Sequence, residues 1–317
     1  MRQSERALVA LNMPLDDDKR EPSAVRFQDG GSFRFEIPSV EGPRVLEAVL
    51  DEAKNLDVPL HRVSEGSGIQ LLTDSEIGEM AAMGRQHAVE VSLFVGPRAG
   101  FEPSAMQAAP NGGVVRPRLR GIDAVRAALD DVFRAYELGI RSVLVADEGL
   151  IAAHQQLKQQ GIWPEDMRIK VSVMMGAANP LSIKLLSDFG VATYNCPTDL
   201  TVEQMSTIRQ VTGVPLDIYV ESPDDVGGFV RYREIEDFIR YLAPVYLKFG
   251  VRNAPNIYPS GKHWEAQAVQ LGRERVHRAR VAWEQIRRLG LEELMSPPGC
   301  PVADLAVPIL HDAKGQI

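Results

Sequence analysis

Eight times between Ser32 and Gly290 the chain passes from a short run of β-branched and apolar residues to a longer segment whose apolar positions recur at helical spacing. The runs are FRFEIP, PLHRVSE, VEVSLFV, RSVLVAD, RIKVSVMM, ATYNC, LDIYVE and VYLKFG. Helical patterns follow each of them, from PRVLEAVLDEAKNL after the first to EAQAVQLGRERVHRARVAWEQIRRLG after the last. A helix between two strands returns the chain to its starting edge, so successive strands run parallel, and eight such units close on themselves. The predicted fold is α/β, a (β/α)8 TIM-type barrel over residues 31–290, with an N-terminal arm over 1–30 and a C-terminal tail over 291–317. A doubly wound sheet would place GxGxxG after the first strand, and FRFEIPSVEGP has none, which argues against NAD as well.

Charges interrupt these strands on one face only. In FRFEI, Phe33 and Phe35 share a side and Arg34 and Glu36 the other; in LDIYVE, Leu216, Ile218 and Val220 oppose Asp217, Tyr219 and Glu221. Lys170 with Ser172, and Tyr246 with Lys248, alternate in the same way. The polar set must point into the barrel, where an unpaired charge costs several kcal/mol. Arg34, Lys170 and Asp217 fall early in their strands and are read as a salt-bridge layer at the barrel bottom. Glu36, Glu221 and Lys248 fall at or near strand C-terminal ends, where barrels of this kind carry out chemistry, and are the catalytic candidates. Desolvation of the Lys248 amine would suit it to proton abstraction or Schiff-base formation, with Glu36 or Glu221 exchanging protons.

Other strand ends deliver polar groups to the same mouth. Arg62, Ser64, Asn195, Arg252 and Asn253 are candidates for substrate binding, and Arg62, Arg98 and Arg252 favour an anion because a guanidinium grips a carboxylate with two bonds. Glu36, His61, Asp147, Glu148 and Glu221 form a candidate ligand set for a divalent cation, Mg2+ or Mn2+, drawn from separate strands without a local motif. Thr73 or Asp74, Asn179, and Asp199 or Thr201 suit helix caps. The segment Gly96–Gly121 and the run RNAPNIYPSGKH are candidate lids or walls of the mouth.

The formal net charge of −8 and the interleaving of Arg with acids around Arg273–Arg280 leave no basic stripe, so nucleic acid is not an expected partner. No apolar run approaches a membrane span and the N-terminus does not read as a secretion signal, so the expectation is a cytoplasmic protein with a small-molecule substrate. The tail and one face of the helix over 264–289 suit a contact in a homo-oligomer, and the same helix face suits covering the barrel equally well. Cys196 and Cys300, far apart, exclude a cysteine-ligated iron–sulfur cluster within one chain.

The stretch RIKVSVMMGAANPLSIKLLSDFGVATYNCPTDLTVEQM resembles the barrel core of the U32 peptidase-like family, with a helix ending in FG and a strand leading into a DLT helix start. The likeness spans roughly residues 140–250. It implies the barrel and admits a hydrolase; the family's cysteine-containing block is absent and no catalytic residue is carried over. Three functions follow as expectations: lyase- or isomerase-type acid/base chemistry on a small, polar, anionic metabolite; a U32-like or metal-dependent hydrolase; and a non-catalytic barrel scaffold or binding subunit.

Overall fold

The computed structural model describes residues 1–18, 20–96, 105–110, 112–299 and 304–310. Eight parallel strands close in sequential order: β1 (Phe33–Pro38), β2 (Arg62–Ser64), β3 (Glu90–Phe94), β4 (Ser142–Val145), β5 (Arg168–Val171), β6 (Thr193–Asn195), β7 (Leu216–Glu221) and β8 (Val245–Phe249). The last strand pairs with the first, Arg34 opposite Tyr246 and Glu36 opposite Lys248. This is the expected (β/α)8 barrel.

Helices α1 (Gln3–Ala10), α2 (Pro43–Asn55), α3 (Asp74–Gln86), α4 (Ala105–Ala108), α5 (Gly121–Glu137), α6 (Glu148–Gln159), α7 (Pro180–Asp188), α8 (Val202–Val211), α9 (Ile235–Tyr241) and α10 (Glu265–Arg288) complete the order. Side chains explain several of the starts. Thr73 and Thr201 close capping boxes with Glu76 and Gln204, and the Asn179 side chain caps α7 ahead of Pro180. The helix ring packs on the outward strand positions, where Phe33, Phe35, Ile37, Val63, Val91, Ile169, Ile218 and Leu247 are buried in one continuous core. The long α10 crosses α2 at Gly272, where an added Cβ would lie 3.0 Å from Val49, and its apolar side covers the barrel.

Both chain ends close the bottom. Asp29 from the arm and Asp304 from the tail bind Arg34 Nη2 at 2.9 and 2.8 Å, and the Phe27 ring lies under that guanidinium at 3.9 Å. Met295 bridges to Phe33, and the Ala306 N–H donates to Glu90. The described part of the tail thus packs against its own barrel. The N-terminal arm carries α1, and its Arg20 and Asp17 bond Glu203, Asp237 and Thr207 on the α8 and α9 side.

Candidate functional site

The barrel interior is filled by charge. Glu36, from β1, meets three cations: Arg62 Nε at 2.8 Å and Lys170 Nζ at 2.5 Å on Oε2, and Lys248 Nζ at 3.3 Å on Oε1, to which Ser64 Oγ also donates. Asp217 binds Arg62 Nη2 at 2.5 Å and Lys170 Nζ at 3.0 Å and accepts from Thr193 Oγ1. Glu90 stands 3.9 Å from Arg62 and accepts from Ser142 Oγ. The Arg62 guanidinium lies 3.4 Å from the centre of the Tyr246 ring. Arg62, Lys170 and Lys248 therefore balance Glu36, Asp217 and Glu90, which is the condition for burying six charges at all.

Electrostatics follow from the packing. Burial alone would raise the Glu36 carboxyl, but Arg62, Lys170 and Lys248 overcome it and hold the group well below the usual carboxylate range. The three cations thereby favour the anionic form of Glu36. Burial, with Arg62 and Lys248 nearby, pushes the Lys170 amine down to about 8 against the pull of Asp217 and Glu36. The Lys170–Asp217 pair expected at the bottom is formed, and it shares its layer with Glu36.

Lys248 is the cation of this layer that reaches the mouth. Its Nζ lies 4.4 Å from the centre of the Tyr219 ring, and the Asn195 amide, turned to satisfy both neighbours, accepts from it at 2.7 Å while donating to the Asp217 carbonyl. Above it lies a cavity of about 60 Å3 whose polar lining includes Ser64, Glu65, Ser172 and Asn195. Tyr258, from the run after β8, joins the lining: it hydrogen-bonds Ser39 and packs on Gly66, where a Cβ would come within 2.8 Å of its ring. The RNAPNIYPSGKH segment thus contributes a wall of the mouth through Tyr258.

The structure brings Glu36, Lys248, Ser64 and Asn195 together, with Arg62 beneath them in the ion-pair layer. Glu221 stands apart: a register irregularity after Tyr219 turns it to Tyr232 and Arg278, and it accepts from the Arg252 N–H. Arg252 is exposed 3.6 Å from Asp224, and the Asn253 N–H is held by the same aspartate. Arg98 lies outside the described residues, as does Cys300.

The candidate metal set is dispersed. His61 uses both ring nitrogens, Nδ1 accepting from the Phe35 N–H and Nε2 bonding the Ser296 carbonyl, and burial pushes it down to about 4. Asp147 caps α6 through the Leu150 N–H and also accepts from Leu119; Glu148 points outward to Arg118. Among the described residues no group of three or more His, Cys, Asp or Glu side chains is placed to hold a metal ion. Local sequence could have flagged Asp147, which stands directly before the helical pattern and suits a cap. It could not have flagged His61, whose partner at Ser296 comes from the far end of the chain.

Residues 122–222 match the model of peptidase family U32. That segment supplies Lys170, Ser172, Thr193, Asn195, Asp217 and Tyr219. No curated protein matches the sequence. Among solved structures, a U32 peptidase is 14% identical with a TM-score of 0.40, covering 73% of this chain and 97% of that one. The truncated 3-deoxy-D-arabino-heptulosonate 7-phosphate synthase of Thermotoga maritima is 11% identical with a TM-score of 0.47, covering 84% and 90%.

Proposed function

We propose that this chain is an enzyme that seats a small anionic metabolite at the C-terminal mouth of its barrel and turns it over by lyase- or isomerase-type acid/base chemistry. The observation that carries the reading is Lys248: a buried ammonium at a polar cavity, held by Glu36, Asn195 and the Tyr219 ring. A cation fixed before the ligand arrives stabilises a carboxylate, or the negative charge that develops when a neighbouring carbon loses a proton, without having to reorganise. Glu36 serves as the counter-ion that positions Lys248, and Ser64, Ser172 and Asn195 offer hydrogen bonds around it.

A thermal-shift and calorimetric panel of two- to five-carbon 2-oxo and 2-hydroxy acids tests this. A charged hydrogen bond of roughly 1.5–3 kcal/mol implies that Lys248→Met weakens binding about ten- to a hundredfold, with Lys248→Arg recovering part of it. A hydrolase is the second reading, favoured by the match to peptidase family U32 over residues 122–222; cleavage of a mixed fluorogenic peptide pool by the purified chain, unchanged in Lys248→Met, would replace the first reading with it. Failure of every acid and every peptide would leave the barrel as a scaffold.

A further inference from the structure

One carboxyl pair at the mouth is not used by the ion-pair layer. Glu65 follows β2 directly, is 1% exposed, and lines two cavities: the one above Lys248 and a second of about 210 Å3 bounded by Glu41, Ser67, Glu76, Ser260 and Lys262. Its Oε1 accepts from the N–H groups of Ser67 and Gly68, at 2.5 and 2.8 Å, and its Oε2 from Phe94 at 3.2 Å. Glu41, from the turn before α2, accepts from Gly66 and Ser67 N–H at 2.9 and 3.0 Å and from the Ser67 hydroxyl. Both carboxyls converge on one N–H, that of Ser67, which lies 3.0 Å from Glu41 Oε2 and 2.5 Å from Glu65 Oε1. Two carboxylates crowded onto a single donor repel each other, and a proton held between them relieves that repulsion.

We propose that the Glu41–Glu65 pair is the acid/base group of the mouth, exchanging protons with a substrate whose anionic group sits on Lys248. The inference rests on the mouth being an anion site. In the step it performs, the unprotonated oxygen of the pair takes a proton from a carbon beside the substrate's carbonyl or carboxylate. The shared proton passes to the atom that gains the electron pair, so the pair begins and ends with one proton and no co-reactant is consumed. Burial and the Glu41 charge both raise the Glu65 carboxyl well above its ordinary range, which favours holding a proton on the pair. The remaining charged groups on the two cavities are Lys248 and Asp225 on one side and Glu76, Lys262 and Glu265 on the other, where Lys262 bridges Glu76 at 3.0 Å and Glu265 at 3.2 Å.

Carbon-13 NMR of the full chain labelled at glutamate Cδ, titrated with and without pyruvate, tests the pair. The expected result is one glutamate that titrates well above the rest, is lost in Glu65→Gln, and moves down in Glu41→Gln. Pyruvate should shift its titration in the wild type and leave it unmoved in Lys248→Met. Should Glu65→Gln not fold, Glu41→Gln alone decides the assignment. The absence of such a glutamate, or its survival unchanged in these variants, overturns the pair whatever pyruvate does. A raised glutamate that pyruvate leaves unmoved in the wild type removes the anion seat, and the acid/base role falls with it.

Discussion

Replacing Glu36 by Gln removes one negative charge from a layer in which three cations balance three anions. The isosteric amide keeps the volume and a partner for Ser64, so the change isolates charge. What remains is Arg62, Lys170 and Lys248 against Asp217 and Glu90, one uncompensated cation among side chains almost wholly withdrawn from water. Breaking a buried pair from one side costs about 3–5 kcal/mol, a large share of the roughly 5–15 kcal/mol that stabilises a typical domain. Urea unfolding followed by circular dichroism should show the midpoint fall with the slope nearly unchanged. Lys170, whose amine already sits near 8, should shed its proton more readily without Glu36, so the penalty shrinks as pH rises. Adding Lys248→Met to Glu36→Gln restores the balance of two against two, and the double variant should be more stable than the sum of the single losses by about 0.5–3 kcal/mol. A loss under about 1 kcal/mol for Glu36→Gln, or strict additivity in the double variant, would refute the view that charge balance sustains this interior.

Lys170 makes a second contribution that depends on pH. Its amine sits at about 8 in the folded chain and at 10.5 ordinarily, so between these values the unfolded chain binds a proton that the folded chain has lost; wild-type stability should rise through that window relative to Lys170→Met, by up to roughly 3 kcal/mol. Parallel urea midpoints for the two proteins from pH 7 to 10 would sink the assignment. Asp147→Ala should cost about 1 kcal/mol through the lost cap of α6; if Mn2+ raises the melting temperature of the wild type but not of this variant, Asp147 is a metal ligand and the capping account is wrong. Gly66→Ala should push Tyr258 away from Ser39 and lower hydrogen-exchange protection in the segment around Tyr258, while the barrel strands keep theirs; unchanged exchange there would show that Tyr258 does not close the mouth.

The mouth shows how far local pattern reaches. Alternation within FRFEI and VYLKF is enough to send Glu36 and Lys248 inward, because a strand has only two faces and the apolar one must meet the helices. The same rule sends Glu221 inward and fails there, since the register irregularity after Tyr219 gives its carboxylate to Tyr232 and Arg278. Position along the strand separated a bottom salt-bridge layer from a catalytic one, yet strand stagger places Lys170 and Asp217 level with Glu36. A residue's depth in a barrel is a property of the whole sheet, not of its own strand.

Periodicity and punctuation along the chain therefore determined the barrel, the faces that form the core, and the helix start at Asn179, and narrowed two others to Thr73 or Asp74 and to Asp199 or Thr201, of which the structure uses Thr73 and Thr201. Tertiary structure alone decided who meets whom: His61 with Ser296, Arg34 with Asp29 and Asp304, Glu41 with Glu65, and three cations around Glu36. Apart from Arg34 with Asp29, five positions apart, these contacts join residues from tens to hundreds of positions apart. A buried charge is set by the sum of its partners, and that sum exists only once the barrel has closed.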